Sequence, residues 1–176
     1  MRKMLLTLLI VCIVALLSTL SISAVHATKP ITVSGTWSWI TPSISGPAGS
    51  GFFNVIRVAN GNIFIYADDD ALFTGTFKGT GYDIFTLRIH PEGFTTGKGQ
   101  TLFTGEVLGE KGTLVIQWVG NTKNDLGWWR FEWTILSGTG DLANLRGHGT
   151  SWGPGPADIG VWGGVDYSGT IVFASD

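Results

Sequence analysis

The sequence is poor in cysteine and in charged residues. Its 176 residues include one cysteine, and Asp, Glu, Lys and Arg together make up 14%. Cys12 lies in the N-terminal apolar segment, so the rest of the chain has neither a disulfide nor a cysteine ligand for zinc. His90 and His148 have no partners at metal-ligand spacing, and no glycine-rich phosphate loop opens a helix. We therefore expect no metal site and no cofactor.

The chain also has no concentration of positive charge. It carries 11 basic and 13 acidic residues, and without Arg2 and Lys3 of the N-terminal segment the net charge is −4. The remaining basic residues are scattered, whereas nucleic-acid binding requires a clustered basic face. We expect no nucleic-acid partner.

Residues 1–27 are typical of a secretory signal peptide. Arg2 and Lys3 precede an apolar run over residues 4–20, and Ala27 ends a small-residue cleavage site. The sequence thus predicts export and a single domain over residues 28–176, as a monomer or a homo-oligomer. The alternative is an uncleaved N-terminal anchor, because about 20 apolar residues are long enough to span a bilayer. The chain would then contact the membrane through this segment alone.

The remaining sequence is rich in glycine and tryptophan and alternates between apolar and polar residues. This period of two predicts an all-β domain. Asn60-Gly61 is a strong hairpin signal, and residues 109–112 and 121–127 predict two more hairpins. Glycines inside the strands favour a small antiparallel β-barrel, with a two-sheet β-sandwich as the alternative. We expect ten strands, near residues 31–39, 52–59, 62–67, 71–78, 83–90, 100–108, 112–119, 128–136, 146–151 and 164–173.

One segment, residues 137–150, reads SGTGDLANLRGHGT and carries a fold signature. Asp141 is a suitable N-cap for a single helical turn, and Leu142 and Leu145 on that turn would point into a core. The segment therefore predicts a strand, an inward-dipping turn and a second strand.

The order GTG-x-L-x-x-L-x-G, from Gly138 to Gly147, resembles the DUF3224 family of unknown function. More loosely, it is similar to the allene oxide cyclase and dirigent barrels. The resemblance covers residues 71–176 and implies a calycin-like or allene-oxide-cyclase-like barrel. It implies no activity, and no catalytic residue carries over from the enzyme barrels.

The strand near residues 128–136 has one aromatic and one polar face. We interpret the aromatic face as interior, so that Arg130 and Glu132 form a solvated pair; the opposite orientation would bury this pair in a polar pocket. The predicted ligand-binding residues are Phe103, Trp118, Trp129, Phe131 and Trp133.

Candidates for acid–base chemistry are few. Glu132, Glu106, Arg130 and His148 are the weak catalytic candidates, because carboxylates on strands carry no spacing that defines a site. Residues 68–70, three consecutive aspartates, lack the ligand spacing of a calcium loop and predict a solvated hairpin tip. No motif indicates an enzyme.

Three functions follow from these patterns. The first is an exported β-barrel that binds a small hydrophobic or amphipathic ligand in an aromatic-lined interior. The second is a cyclase-like or dirigent-like enzyme, which requires an inward-facing carboxylate. The third is a surface module that contacts carbohydrate or protein through exposed Trp152 and Trp162.

Overall fold

A computed structural model describes residues 29–40, 54–122, 128–154 and 164–174, and these residues form nine β-strands and no helix. The predicted targeting segment, Trp162, most of the two long Gly/Pro-rich connections and residues 123–127 of the third predicted hairpin lie outside the described residues. The strands are β1 (Ile31–Ile40), β2 (Asn54–Ala59), β3 (Asn62–Gly75), β4 (Phe77–Ile89), β5 (Thr95–Val107), β6 (Glu110–Thr122), β7 (Trp128–Gly140), β8 (Leu145–Pro154) and β9 (Val165–Phe173).

All strands belong to one antiparallel sheet in the order β1-β9-β8-β7-β6-β5-β4-β3-β2, and β1 also pairs with β3. This pairing closes eight strands into a barrel. The predicted β-barrel is therefore confirmed, and the alternative β-sandwich is not formed. Strands β1 and β2 pair with the same edge of β3: Ile40 lies opposite Asp70, and Asn54 lies opposite Tyr66. Residues 41–53 therefore connect two strands that run in line along one edge.

Two of the predicted hairpins form tight turns. Asn60 and Gly61 have φ angles of 51° and 73°, as a type I′ turn requires. The second of these turns, between β5 and β6, is formed by Leu108 and Gly109, with φ angles of 55° and 97°, and β6 already begins at Glu110. The predicted hairpin is confirmed, but its turn lies slightly earlier in the chain than the glycine spacing suggests.

The interpretation of residues 68–70 as a hairpin tip is wrong. The two strands expected on either side of them are one continuous strand, β3, in which Asp68, Asp69 and Asp70 lie opposite Ile84, Asp83 and Tyr82 of β4. Aspartate disfavours strands, but pairing with a long neighbouring strand overrides this weak local preference. The alternation of β3 turns the Asp69 side chain inward and leaves Asp68 and Asp70 exposed.

The turn between β7 and β8 closes one end of the barrel. Leu142 and Leu145 are both 0% exposed, as the sequence predicts. The expected helical turn does not form; instead, successive reverse turns are held by bonds such as Leu142 N–H to the Thr139 carbonyl, at 3.2 Å. The Asp141 carboxylate accepts a hydrogen bond from the Lys111 backbone N–H at 3.4 Å, so it ties the turn to β6 rather than capping a helix.

Inward-facing glycines make room for aromatic rings inside the barrel. Trp133 lies over Gly149 of β8 and Gly169 of β9, which are cross-strand partners. A Cβ atom on either glycine would lie 2.4 or 2.5 Å from Trp133 Cζ2, closer than real Cβ contacts allow. The glycines inside these strands therefore serve packing and do not mark turns.

Replacing Gly149 with alanine is expected to lower the free energy of unfolding by about 1–3 kcal/mol, because the new methyl group must displace Trp133 and the Ser168 carbonyl. Gly164→Ala is the matched control, since the nearest atom to its Cβ is Thr36 Cβ at 3.8 Å. This control should change stability by less than about 0.5 kcal/mol. Chemical denaturation of both variants checks the prediction, and equal midpoints would contradict the packing role.

Candidate functional site

The barrel interior contains a small cavity lined by inward-facing side chains. The cavity has a volume of about 40 Å³, counted as the space that the centre of a water molecule can occupy. Most of the lining side chains are aromatic, and three polar ones break the apolar wall. The lining residues are Trp37, Phe73, Phe77, Asp83, Thr101, Ile116, Trp118, Phe131, Trp133, Ser151 and Tyr167.

Asp83 is the charged group of this cavity. It lies on the inward face of β4 and is 3% exposed. The Thr101 hydroxyl of β5 donates a hydrogen bond to Asp83 Oδ1, and the Trp118 side chain also bonds to the carboxylate. Burial raises the pKa of Asp83 to about 6, although both hydrogen bonds oppose the increase by favouring the ionised form.

A second buried carboxylate lies beside the first. Asp69 of β3 is the cross-strand partner of Asp83 and is also buried. Neither residue was predicted to be a site residue: the three consecutive aspartates indicated a solvated turn at Asp69, and Asp83 was expected only to begin a strand. The alternation of β3 was the signal that could have shown that Asp69 faces inward. Asp69 is in phase with three apolar residues of the interior, Ala67, Ala71 and Phe73.

The Tyr167 hydroxyl joins β9 to the bend between β3 and β4. It accepts a hydrogen bond from the Phe77 backbone N–H at 2.8 Å and donates one to the Thr74 carbonyl at 3.0 Å. Burial raises the pKa of Tyr167. Gly35 of β1 permits this arrangement, since a Cβ atom there would lie 2.4 Å from the Tyr167 hydroxyl oxygen.

The predicted ligand-binding residues are all inside the barrel, but they do not all line the cavity. Trp118, Phe131 and Trp133 contribute to its wall. Phe103 is fully buried and packs edge-on against neighbouring rings of the core. Trp129 stacks on Phe131, with ring centroids 5.3 Å apart.

The predicted catalytic residues are on the outer wall. Arg130, Glu132 and His148 are exposed, and they alternate with inward-facing neighbours on β7 and β8. Glu106 is half-buried on the outside of β5, and its Oε1 atom lies 3.8 Å from Lys78 Nζ. None of these four side chains lines the cavity.

Two exposed tryptophans form a stacked pair on the outer wall. The rings of Trp128 and Trp152 have centroids 4.8 Å apart and planes inclined by 29°. They are 45% and 54% exposed, which is unusual for side chains of this size. Trp152 lies between Arg130 and Asp166 in cross-strand register, so charged groups flank the exposed rings.

A wider depression of about 630 Å³ lies across β2 to β6. Phe64, Arg88, Lys98 and Val119 are among its lining residues, and the Arg57 guanidinium lies 4.3 Å from the Phe64 ring centroid. This depression is wider and more open to solvent than the cavity that contains Asp83.

Two further observations concern the described residues alone. No group of three or more His, Cys, Asp or Glu side chains among them is placed to hold a metal ion. No helix in this part of the chain is long and apolar enough to cross a membrane.

The fold defines a small closed antiparallel β-barrel whose interior is filled by aromatic side chains around a buried carboxylate. Residues 59–152 match the protein family of unknown function DUF3224, and the chain belongs to this family. The crystal structure of a DUF3224 protein of unknown function from Shewanella oneidensis MR-1 has a similar fold. It superposes with a TM-score of 0.60 at 17% identity, covering 84% of this chain and 100% of that protein. No protein with a curated description matches the chain.

The raised pKa of Asp83 predicts a specific pH dependence of stability. The carboxyl group ionises near its ordinary pKa of 3.8 in the unfolded chain and near 6 in the folded protein. Below about pH 4 the carboxyl group is protonated in both states, and its burial carries no ionisation penalty. This contribution to the free energy of unfolding is lost as the pH rises through about 6, because the group ionises in the unfolded chain from about pH 4 and in the folded protein only near pH 6. Asp83→Asn removes the ionisation, so its free energy of unfolding should rise relative to the wild type by about 3 kcal/mol between about pH 4 and pH 8.

Denaturant titrations across this pH range measure the difference. Asp166→Asn, at an exposed carboxylate of β9, controls for the loss of one charge and should run parallel to the wild type. A constant difference between Asp83→Asn and the wild type would contradict the assignment of Asp83 as a buried, titrating group.

Proposed function

We propose that the barrel is a binding protein whose interior cavity takes a small amphipathic molecule. The observation that carries the proposal is the position of Asp83, a buried carboxylate on the wall of an otherwise aromatic cavity. Ligand sites are typically apolar pockets with a few polar groups that fix orientation, and the cavity has this composition. Buried carboxylates cost stability, so their presence in a core favours a functional explanation.

The size of the cavity limits the ligand. A water molecule needs about 10–15 Å³ of such volume, so a cavity of about 40 Å³ accommodates roughly three water molecules or a ligand of about three heavy atoms. Pockets for drug-sized ligands are about 300–1,000 Å³. Fatty acids and terpenoids exceed the space between these rings, and the proposed ligand is therefore much smaller.

The same volume favours binding over a cyclase-like reaction. Asp83 is an inward-facing carboxylate of the kind that such chemistry requires, whereas Glu106 and Glu132 are on the outer wall. A chain long enough to cyclise does not fit a space for about three heavy atoms. The aromatic wall therefore supports a role in holding a small molecule.

Filling the cavity is expected to abolish binding without unfolding the barrel. Ser151→Val places two methyl groups at a lining position of β8, where β-branched residues suit the strand. Ligands of two to four heavy atoms and different charge should shift the NMR signals of the Trp118 and Trp133 indole N–H groups in the wild type. These shifts should disappear in Ser151→Val.

Trp152→Ala, on the outer wall, is the control and should retain the shifts. Equal responses in Ser151→Val and the wild type would place binding outside the cavity. Long-chain fatty acids are titrated in parallel. If they shift these signals and the small ligands do not, the size argument is contradicted and the wider depression across β2 to β6 becomes the candidate site.

A second candidate function rests on the stacked pair of Trp128 and Trp152. Exposed aromatic faces flanked by charged and hydrogen-bonding groups suit contact with carbohydrate rings. If this surface binds polysaccharide, Trp152→Ala should weaken retention on a polysaccharide matrix at least tenfold, whereas Ser151→Val should not. Affinity electrophoresis in gels that contain soluble polysaccharides measures this, and unchanged mobility of the wild type across the panel would eliminate the candidate.

A further inference from the structure

We propose that the ligand of the interior cavity is a small organic cation, an alkylammonium ion whose nitrogen is held by Asp83. This inference rests on the proposed function, because it names the ligand class of the same cavity. It follows from three properties of the wall: its charge, its aromatic rings and its oxygen acceptors.

The charge of the interior has one sign. Asp69 and Asp83 face inward from adjacent strands, and no Lys, Arg or His is among the residues that line the cavity. A buried carboxylate is costly without a compensating positive group, because the low-dielectric interior does not solvate it. Thr101 and Trp118 supply hydrogen bonds to Asp83 but no charge. A cation in the cavity would supply it.

The aromatic wall suits a cation rather than a neutral ligand. Trp37, Trp118 and Trp133 line the cavity together with phenylalanine rings, and Trp has the most favourable face for a cation. Such contacts gain strength when the cation is removed from water. An anion would face both the ring quadrupoles and a carboxylate, so the wall discriminates against it.

Oxygen atoms in the lining can accept the N–H groups of an ammonium ion. Besides Asp83, the cavity is lined by the hydroxyl groups of Thr101 and Ser151, and each hydroxyl oxygen has acceptor lone pairs. The Tyr167 hydroxyl already has a donor in Phe77 N–H and an acceptor in the Thr74 carbonyl. The expected ligand therefore presents an ammonium group to Asp83 and a short alkyl group to the rings.

Protons compete with this cation for Asp83. The titratable groups that face the interior from the described strands are Asp83 on β4, Asp69 on β3 and Tyr167 on β9; the neighbouring β5 and β6 contribute Thr101 and Trp118, which do not titrate. Because the pKa of Asp83 is about 6, the carboxylate is mostly ionised at pH 8 and mostly protonated at about pH 5. Affinity for an ammonium ion should fall about tenfold between these two conditions.

The test compares three probes of similar size and different charge: ethylammonium, ethanol and acetate. Each is titrated into the purified protein at constant ionic strength, and the Trp118 and Trp133 indole N–H signals are followed by NMR. For so few heavy atoms, ligand efficiency limits the dissociation constant to the millimolar range. Ethylammonium should bind at least tenfold more tightly than ethanol, and acetate should give no saturable shift.

Variants connect the result to the carboxylate. Asp83→Asn should lower the ethylammonium affinity at least tenfold at about pH 8, whereas Asp166→Asn, an exposed carboxylate, should leave it unchanged. Comparing the ethylammonium affinity of the wild type at about pH 5 and at about pH 8 tests the role of the Asp83 carboxylate without a substitution.

The outcomes separate the two proposals. Equal binding of ethanol and ethylammonium would overturn the cation inference and leave the small-molecule proposal intact. Saturable shifts from acetate alone would overturn the inference in the same way. Absence of saturable shifts from all three probes would overturn both, and the cavity would then hold water alone.

Discussion

The structure depends on a match of volumes inside a narrow barrel. Eight strands leave an interior just wide enough to be filled by side chains, so a large ring from one strand requires a small residue on another. Trp133 is accommodated by Gly149 and Gly169, and Trp118 by Gly99, whose Cβ would lie 2.7 Å from the indole Cζ2 atom. The glycines that weaken the individual strands are thus a condition for the aromatic core that holds the strands together.

The same match of volumes explains why a cavity with a carboxylate on its wall remains in this core. Asp83 occupies an inward position on β4 between Gly81 and Phe85, where its side chain is shorter than the rings around it. The space left by this short side chain is not filled from across the barrel. The carboxylate receives hydrogen bonds from Thr101 and Trp118, but burial still raises its pKa to about 6, so its ionised form costs stability near neutral pH. A buried charged residue in an otherwise apolar core is expected at positions where function, rather than stability, determines the residue type.

Local patterns predicted most of the strands and the aromatic part of the cavity wall, but not its buried carboxylate. The alternation of β7 predicted that Trp129, Phe131 and Trp133 are buried, and Asn60-Gly61 predicted its turn, because both depend on backbone geometry within a few residues. Asp69 was misread because three aspartates in sequence outweighed the alternation that continues through them. The position of the cavity depends on which inward-facing side chains lie opposite one another, and therefore on cross-strand register. The alternation within a single strand does not contain that information.

The cavity is also a product of barrel closure. Trp37 comes from β1 and Tyr167 from β9, whereas Asp83, Thr101 and Trp118 come from the hairpins in the middle of the chain. The lining is complete when β1 pairs with both β9 and β3, and the Tyr167 hydroxyl fixes this junction through Phe77 and Thr74. A ligand in the cavity therefore binds the closed barrel and not the separate hairpins, so binding must stabilise closure by the free energy of association. Under the proposed function, the carboxylate whose ionised form costs stability near neutral pH would be the group through which a bound cation stabilises the barrel.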